Sequence, residues 1–138
     1  MIRILKAINE EHKRLNKMLD DVQASKENRG ELFNKFKLNL NKHYAIEEKG
    51  ILDSFAMMQG KEASNTFDII QDHNELRALV NEIELKLKTN EAKDKLDELK
   101  VVLNEHEKFE EEEFYPMLGE TLSPTQIEDI VKKCKEIL

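Results

Sequence analysis

His106-Glu-Lys-Phe-Glu110-Glu-Glu-Glu-Phe-Tyr115 sets an imidazole four residues before a carboxylate in a stretch of helix-forming residues. The phrase occurs twice. His43-Tyr-Ala-Ile-Glu47-Glu-Lys-Gly-Ile-Leu52 repeats H-x-x-x-E-E followed by apolar residues, and each copy trails one further histidine, His12 or His73, by about thirty residues. These four are all the histidines in the chain.

Working outward, each motif sits on an apolar seam with alternating three- and four-residue steps, the spacing of one helix face. The first segment, about Arg3 to Lys26, carries Leu5, Ile8, His12, Leu15, Leu19 and Val22. The second, about Glu31 to Phe55, carries Phe33, Phe36, Leu40, His43 and Glu47 and continues to Ile51 and Ser54. A third, ending near Lys88, runs Ile69, His73, Leu76, Val80, Ile83 and Leu87; the fourth, about Glu91 to Tyr115, runs Leu96, Leu99, Leu103, His106, Glu110 and Phe114. Polar turns at Ser25–Glu31 and Thr89–Asn90 separate them, and Gly60 is the expected break before the third, with Ser64 or Asn65 as its cap. Pro116 and Gly119 are expected to loosen or stop the fourth helix. Ser123-Pro-Thr-Gln126 reads as a capping box that opens a short closing helix to Leu138, packed through Ile127, Ile130, Val131 and Cys134.

Four helices of similar length joined by short turns predict an all-α, up-down-up-down four-helix bundle with a short C-terminal fifth helix, formed by residues 1–138 as a single domain. In that arrangement the four histidines fall within about one helical turn of each other along the axis, with Glu47 and Glu110 one turn nearer the same end. The composition agrees, with few glycines, two prolines and no tryptophan. A net charge of -7 argues against nucleic acid or an anionic membrane as the main partner. No apolar run is long enough to span a bilayer, no signal peptide is evident, and the one cysteine, Cys134, reads as a half-buried apolar residue that fits a reducing, cytoplasmic setting.

Two carboxylates on apolar seams with no Lys or Arg beside them cost several kcal/mol unless a cation neutralises them. Four imidazoles and two carboxylates are more than a single tetrahedral zinc needs, and suit two first-row transition metals, iron ahead of manganese or zinc. Each ion would take two imidazoles and share both carboxylates, with an oxo or hydroxo bridge between them and room for a diatomic or peroxide. The metal ligands are then His12, His43, Glu47, His73, His106 and Glu110. Tyr44 and Tyr115 are expected to pack at the bundle edge, with a hydrogen bond to the bridge as the alternative. Glu48, Glu75 and Glu111 either orient the imidazoles or are solvated, and Glu112 and Glu113 are solvated.

The set His12, His43-x-x-x-Glu47, His73 and His106-x-x-x-Glu110 resembles the hemerythrin-like (HHE cation-binding) domain over nearly the whole chain. The resemblance implies a bundle around a non-haem di-iron centre, with the family's ligand roles at those six positions. Oxygen-carrying hemerythrins have a further histidine where this chain has Arg77, and end the fourth-helix motif with an aspartate where Glu111 stands; the seam favours Glu110. The four-His, two-Glu pattern is similar instead to di-iron proteins of iron-sulfur cluster repair and to hemerythrin-like sensors. The expectation is a di-iron protein that binds or senses O2, NO or peroxide. The alternative is a di-iron enzyme that reduces peroxide or oxidises Fe(II), or an iron donor in iron-sulfur repair.

Overall fold

The computed structural model describes residues 2–59 and 64–137. Among these residues there are helices and short turns but no strand. Helix α1 spans Ile2–Ala24 and α2 Arg29–Ala45. α2 runs without interruption into a π-helical segment, π1 (Ile46–Leu52), and then α3 (Asp53–Gln59). α4 spans Ser64–Lys86 and α5 Ala92–Phe109. α5 continues through a second π segment, π2 (Glu110–Phe114), into α6 (Tyr115–Thr121), and α7 (Pro124–Ile137) closes the chain. The expected break at Gly60 lies outside the described residues, as do the side chains of Ser64 and Asn65.

The bundle pairs α1 with α2, α4 with α5, α1 with α5 and α2 with α4. Its interior is two apolar clusters. One is built from Leu15, Leu19, Phe33, Phe36, Leu40, Leu76, Ile83, Leu96, Leu99 and Leu103 among others. The other contains Ile4, Ile8, Ile51, Leu52, Phe55, Ile69, Phe114, Tyr115, Leu118 and Ile130. Along α1 the change from Ile8 to Leu15 passes through His12, so the layer of histidines separates the clusters and is closed by hydrocarbon from both ends.

The turns are held by polar groups with specific partners. Arg29 donates through Nε to the Val22 carbonyl and through a terminal nitrogen to that of Gln23, both at 3.2 Å. A cation thereby satisfies the last turn of α1, whose carbonyls lack helical partners. Thr89 does the same for α4, its hydroxyl donating to the Lys86 carbonyl at 2.8 Å. The predicted capping box is present. The Ser123 amide donates to Gln126 Oε1 (2.9 Å) and the Gln126 amide to Ser123 Oγ (3.2 Å).

Two expectations need correction. Pro116 and Gly119 do not stop the fourth helix, which continues to Thr121. Proline costs most where it deletes an i→i−4 bond. Pro116 instead follows the π segment, where the Tyr115 amide already reaches back to Glu110, and it enters α6 in its first turn. The seam of the second helix holds through Ile51 and then slips by one residue. Leu52 and Phe55 are buried where Ser54 was expected, because π1 adds a residue to the turn and rotates everything after it.

Candidate metal centre

His12 on α1, His43 on α2, Glu47 on π1, His73 on α4, His106 on α5 and Glu110 on π2 are all buried. They converge on one layer. His43 Nε2 lies 2.9 Å from Glu47 Oε1, and His73 Nε2 lies 3.3 Å from the same oxygen. His12 Nε2 is 3.1 Å from Glu110 Oε1 and His106 Nε2 3.4 Å from Glu110 Oε2. One ligand atom from each of His12, His43, Glu47 and Glu110 lies within 4.8 Å of the others, and the same holds for Glu47, His73, His106 and Glu110. Both groups contain the same two carboxylates.

The π segments set this geometry. His43, Glu47, Ile51 and Phe55 are all buried at steps of four, and so are His106, Glu110, Phe114 and Leu118. In a regular helix four residues overshoot one turn by about 40°, so the last member of such a run would leave the core. A wider turn that includes each glutamate absorbs the drift and keeps all four side chains facing inward. Gly50 lies within π1, and a Cβ there would stand 2.8 Å from Cys134 Sγ and 3.3 Å from Cys134 Cα. Its missing side chain is what lets α7 close over the widened turn.

Each imidazole turns its Nε2 inward and presents Nδ1 to a carboxylate on a neighbouring helix. His73 Nδ1 meets Glu48 at 2.6 Å and His106 Nδ1 meets Asp72 at 3.1 Å. His12 Nδ1 has Glu111 at 3.2 Å, off the hydrogen-bonding direction, and His43 Nδ1 has Glu11 at 3.9 Å. Glu48 also accepts from Arg77 (2.9 Å). With Nδ1–H given to Glu48 and to Asp72, the Nε2 atoms of His73 and His106 face each other as lone pairs across 3.1 Å. Glu47 Oε1 and Glu110 Oε2 have no donor directed at them. Opposed lone pairs and buried orphan oxygens are what a cation between them would satisfy, so the residues fit bound metal.

The electrostatics agree. Burial pulls the His12 pKa down to about 3, helped by neighbouring His43, and burial also lowers that of His106. At His43 burial acts downward too, but the charge of Glu47, with those of Glu11 and Glu107, outweighs it and raises the pKa. Burial would raise Glu47, yet the charge of neighbouring His43 holds this carboxyl well below the usual range. Burial and the charge of Glu47 push Glu110 well above it. Two adjacent buried carboxylates do not both ionise unaided, and the proton kept on Glu110 marks the positive charge the layer lacks.

Of the residues with open readings, Tyr115 is not at the bundle edge. It is fully buried and its hydroxyl donates to Glu47 Oε2 at 2.6 Å. Tyr44 is likewise buried in the core, stacked on His73 with ring centroids 4.1 Å apart, and the Arg77 guanidinium lies over its ring, 5.0 Å from the centroid. Glu48 and Glu111 face imidazoles, whereas Glu75, Glu112 and Glu113 are exposed. Cys134 is half-buried, and burial pushes its thiol up to about 11.

Sequence reasoning missed Glu11, Asp72, Asn16 and Glu107. The first two had a visible signal, an acid immediately before the lone histidine of α1 and of α4. Glu107 had none. It is buried, accepts from Asn16 Nδ2 at 2.7 Å, and burial raises its pKa to about 8, against the hydrogen bond from Asn16. Asn16 is 91 residues away in sequence.

An antiparallel bundle whose buried layer gathers four imidazoles around two shared carboxylates is the architecture of a cation-binding helical protein. The chain belongs to the hemerythrin HHE cation-binding domain family, whose sequence profile matches residues 3–118. No curated protein matches the chain. Among the described residues no helix is long and apolar enough to cross a membrane.

Proposed function

We propose that this protein holds two iron ions and binds or senses O2, NO or peroxide at them. His12 and His43 would serve one ion, His73 and His106 the other, and Glu47 and Glu110 would bridge. The observation that carries this reading is that the two four-residue groups share Glu47 and Glu110. A carboxylate one turn from its histidine on the same face can reach the neighbouring position while the imidazole serves its own. Bound iron would supply a redox couple and sites for a small ligand. The chain itself supplies the rest. Glu48 and Asp72 fix the rings of His73 and His106 with Nε2 facing inward, Tyr115 holds Glu47, and the apolar clusters on either side exclude water.

The reading is tested by anaerobic loading with Fe(II) and counting bound iron. About two per chain are expected, falling to about one or fewer in Glu47→Ala and Glu110→Ala. A wild-type count of about one overturns the shared bridge.

A di-iron enzyme that reduces peroxide or oxidises Fe(II) is the second reading, favoured by Glu107, a buried carboxyl bonded to Asn16 and able to hold a proton near neutral pH. Stopped-flow spectra of the di-ferrous protein separate the two. A stable, reversible adduct with O2 or NO supports binding, and rapid turnover of peroxide or added Fe(II) supports the enzyme.

A further inference from the structure

α7 is seated on π1 and α3, drawn in where Gly50 admits Cys134. Between α7, α1 and the start of π1 there is a wedge-shaped space lined by all three. A cavity of about 260 Å³ fills it, walled by Ile4, Ile8, Ile46, Ile51, Val131 and Cys134, with exposed Ala7 and Lys135 at its mouth and Glu11 and His43 also lining it.

The walls decide what it can hold. Most of the lining is hydrocarbon, which gives water few partners, and an engineered apolar cavity of about 150 Å³ takes up benzene. By proportion this one holds about ten non-hydrogen atoms. The charged groups around it, Glu11 and Lys135, have opposite signs. A ligand with a charged head would therefore gain one ion pair and meet one like charge. We propose that the wedge between α1 and α7 binds an uncharged aliphatic molecule of about eight carbons, seated against the outer face of His43. The site is formed by protein side chains alone, so it does not depend on the iron reading.

The test is calorimetric titration of the full chain, metal-free and iron-loaded, with 1-octanol, octanoate and octylammonium. Saturable binding of one octanol per chain is expected, weakened by about tenfold or more in Val131→Trp, which fills the wedge. Ala7→Trp narrows the mouth from an exposed position and provides the same reading should the core substitution disturb folding. Octanol binding that does not saturate, or that is unchanged in both variants, overturns the site. Octanoate or octylammonium binding about tenfold more tightly than octanol overturns the uncharged ligand class. Octanol binding to the metal-free chain in a protein that takes up no iron would leave this inference standing while the di-iron reading fell.

Discussion

Tyr115 donates its hydroxyl to Glu47 across 2.6 Å, from the far side of the bundle and 68 residues later in the chain. Both groups are fully buried. The bond steadies the carboxylate that lies closest to two of the histidines.

Tyr115→Phe should therefore cost the metal-free protein about 1–3 kcal/mol, the penalty for leaving a buried acceptor unsatisfied. Urea unfolding of the two proteins measures it. A difference below about 0.5 kcal/mol would mean the hydroxyl contributes no more than a generic contact.

Glu48→Gln should weaken iron binding by about 10- to 100-fold, since Glu48 orients His73 through Nδ1 and is itself held by Arg77. Glu75→Gln, at an exposed position on the same helix as His73, is the control. Competition with a chelator of known affinity reads the difference, and equal affinities in the two variants would contradict the orienting role.

Glu107 makes stability depend on pH with a definite sign. Its pKa is about 8 in the folded chain and about 4.3 when unfolded. The folded state thus holds the extra proton between those values, and the group's contribution, complete below about 4.3, is lost as pH rises through about 8. Glu107→Gln stays neutral throughout. The metal-free variant should match wild type at about pH 4 and exceed it by about 1–3 kcal/mol at about pH 9. Denaturant midpoints at the two pH values check this, and an equal offset at both would refute it.

Gly50→Ala places a methyl carbon 2.8 Å from Cys134 Sγ and should destabilise by about 1–3 kcal/mol through displacement of α7. Adding Cys134→Ala should restore part of the loss but not all, because Cys134 Cα also stands at 3.3 Å. Thermal melts of the single and double variants give the coupling. Full additivity would show that the contact is not what limits the site.

The seams made the bundle and the meeting of the six polar side chains legible, because burial follows helical period and all four histidines lie on it. The π turns were also written in the sequence, as runs of uninterrupted four-residue steps from His43 and from His106, but reading them requires summing the drift rather than matching each step to a helix face. The Nδ1 partners were half visible, since Glu48 and Glu111 directly follow the seam glutamates. Asn16 and Glu107 were not visible, because their contact depends on how α1 and α5 face one another, which local pattern does not encode.

That contact has a counterpart. Asn16 stands four residues after His12 and Arg77 four after His73, while Glu107 follows His106 as Tyr44 follows His43. At matching places in the two halves, one flank carries an amide bonded to an acid and the other a guanidinium laid over a phenol ring. The approximate twofold symmetry of the donor set stops at the donors themselves. Each flank borders one histidine of either group, so two ions with identical ligands would still stand in unlike surroundings, with Asn16 and Tyr44 flanking the histidines of one and Arg77 and Glu107 those of the other.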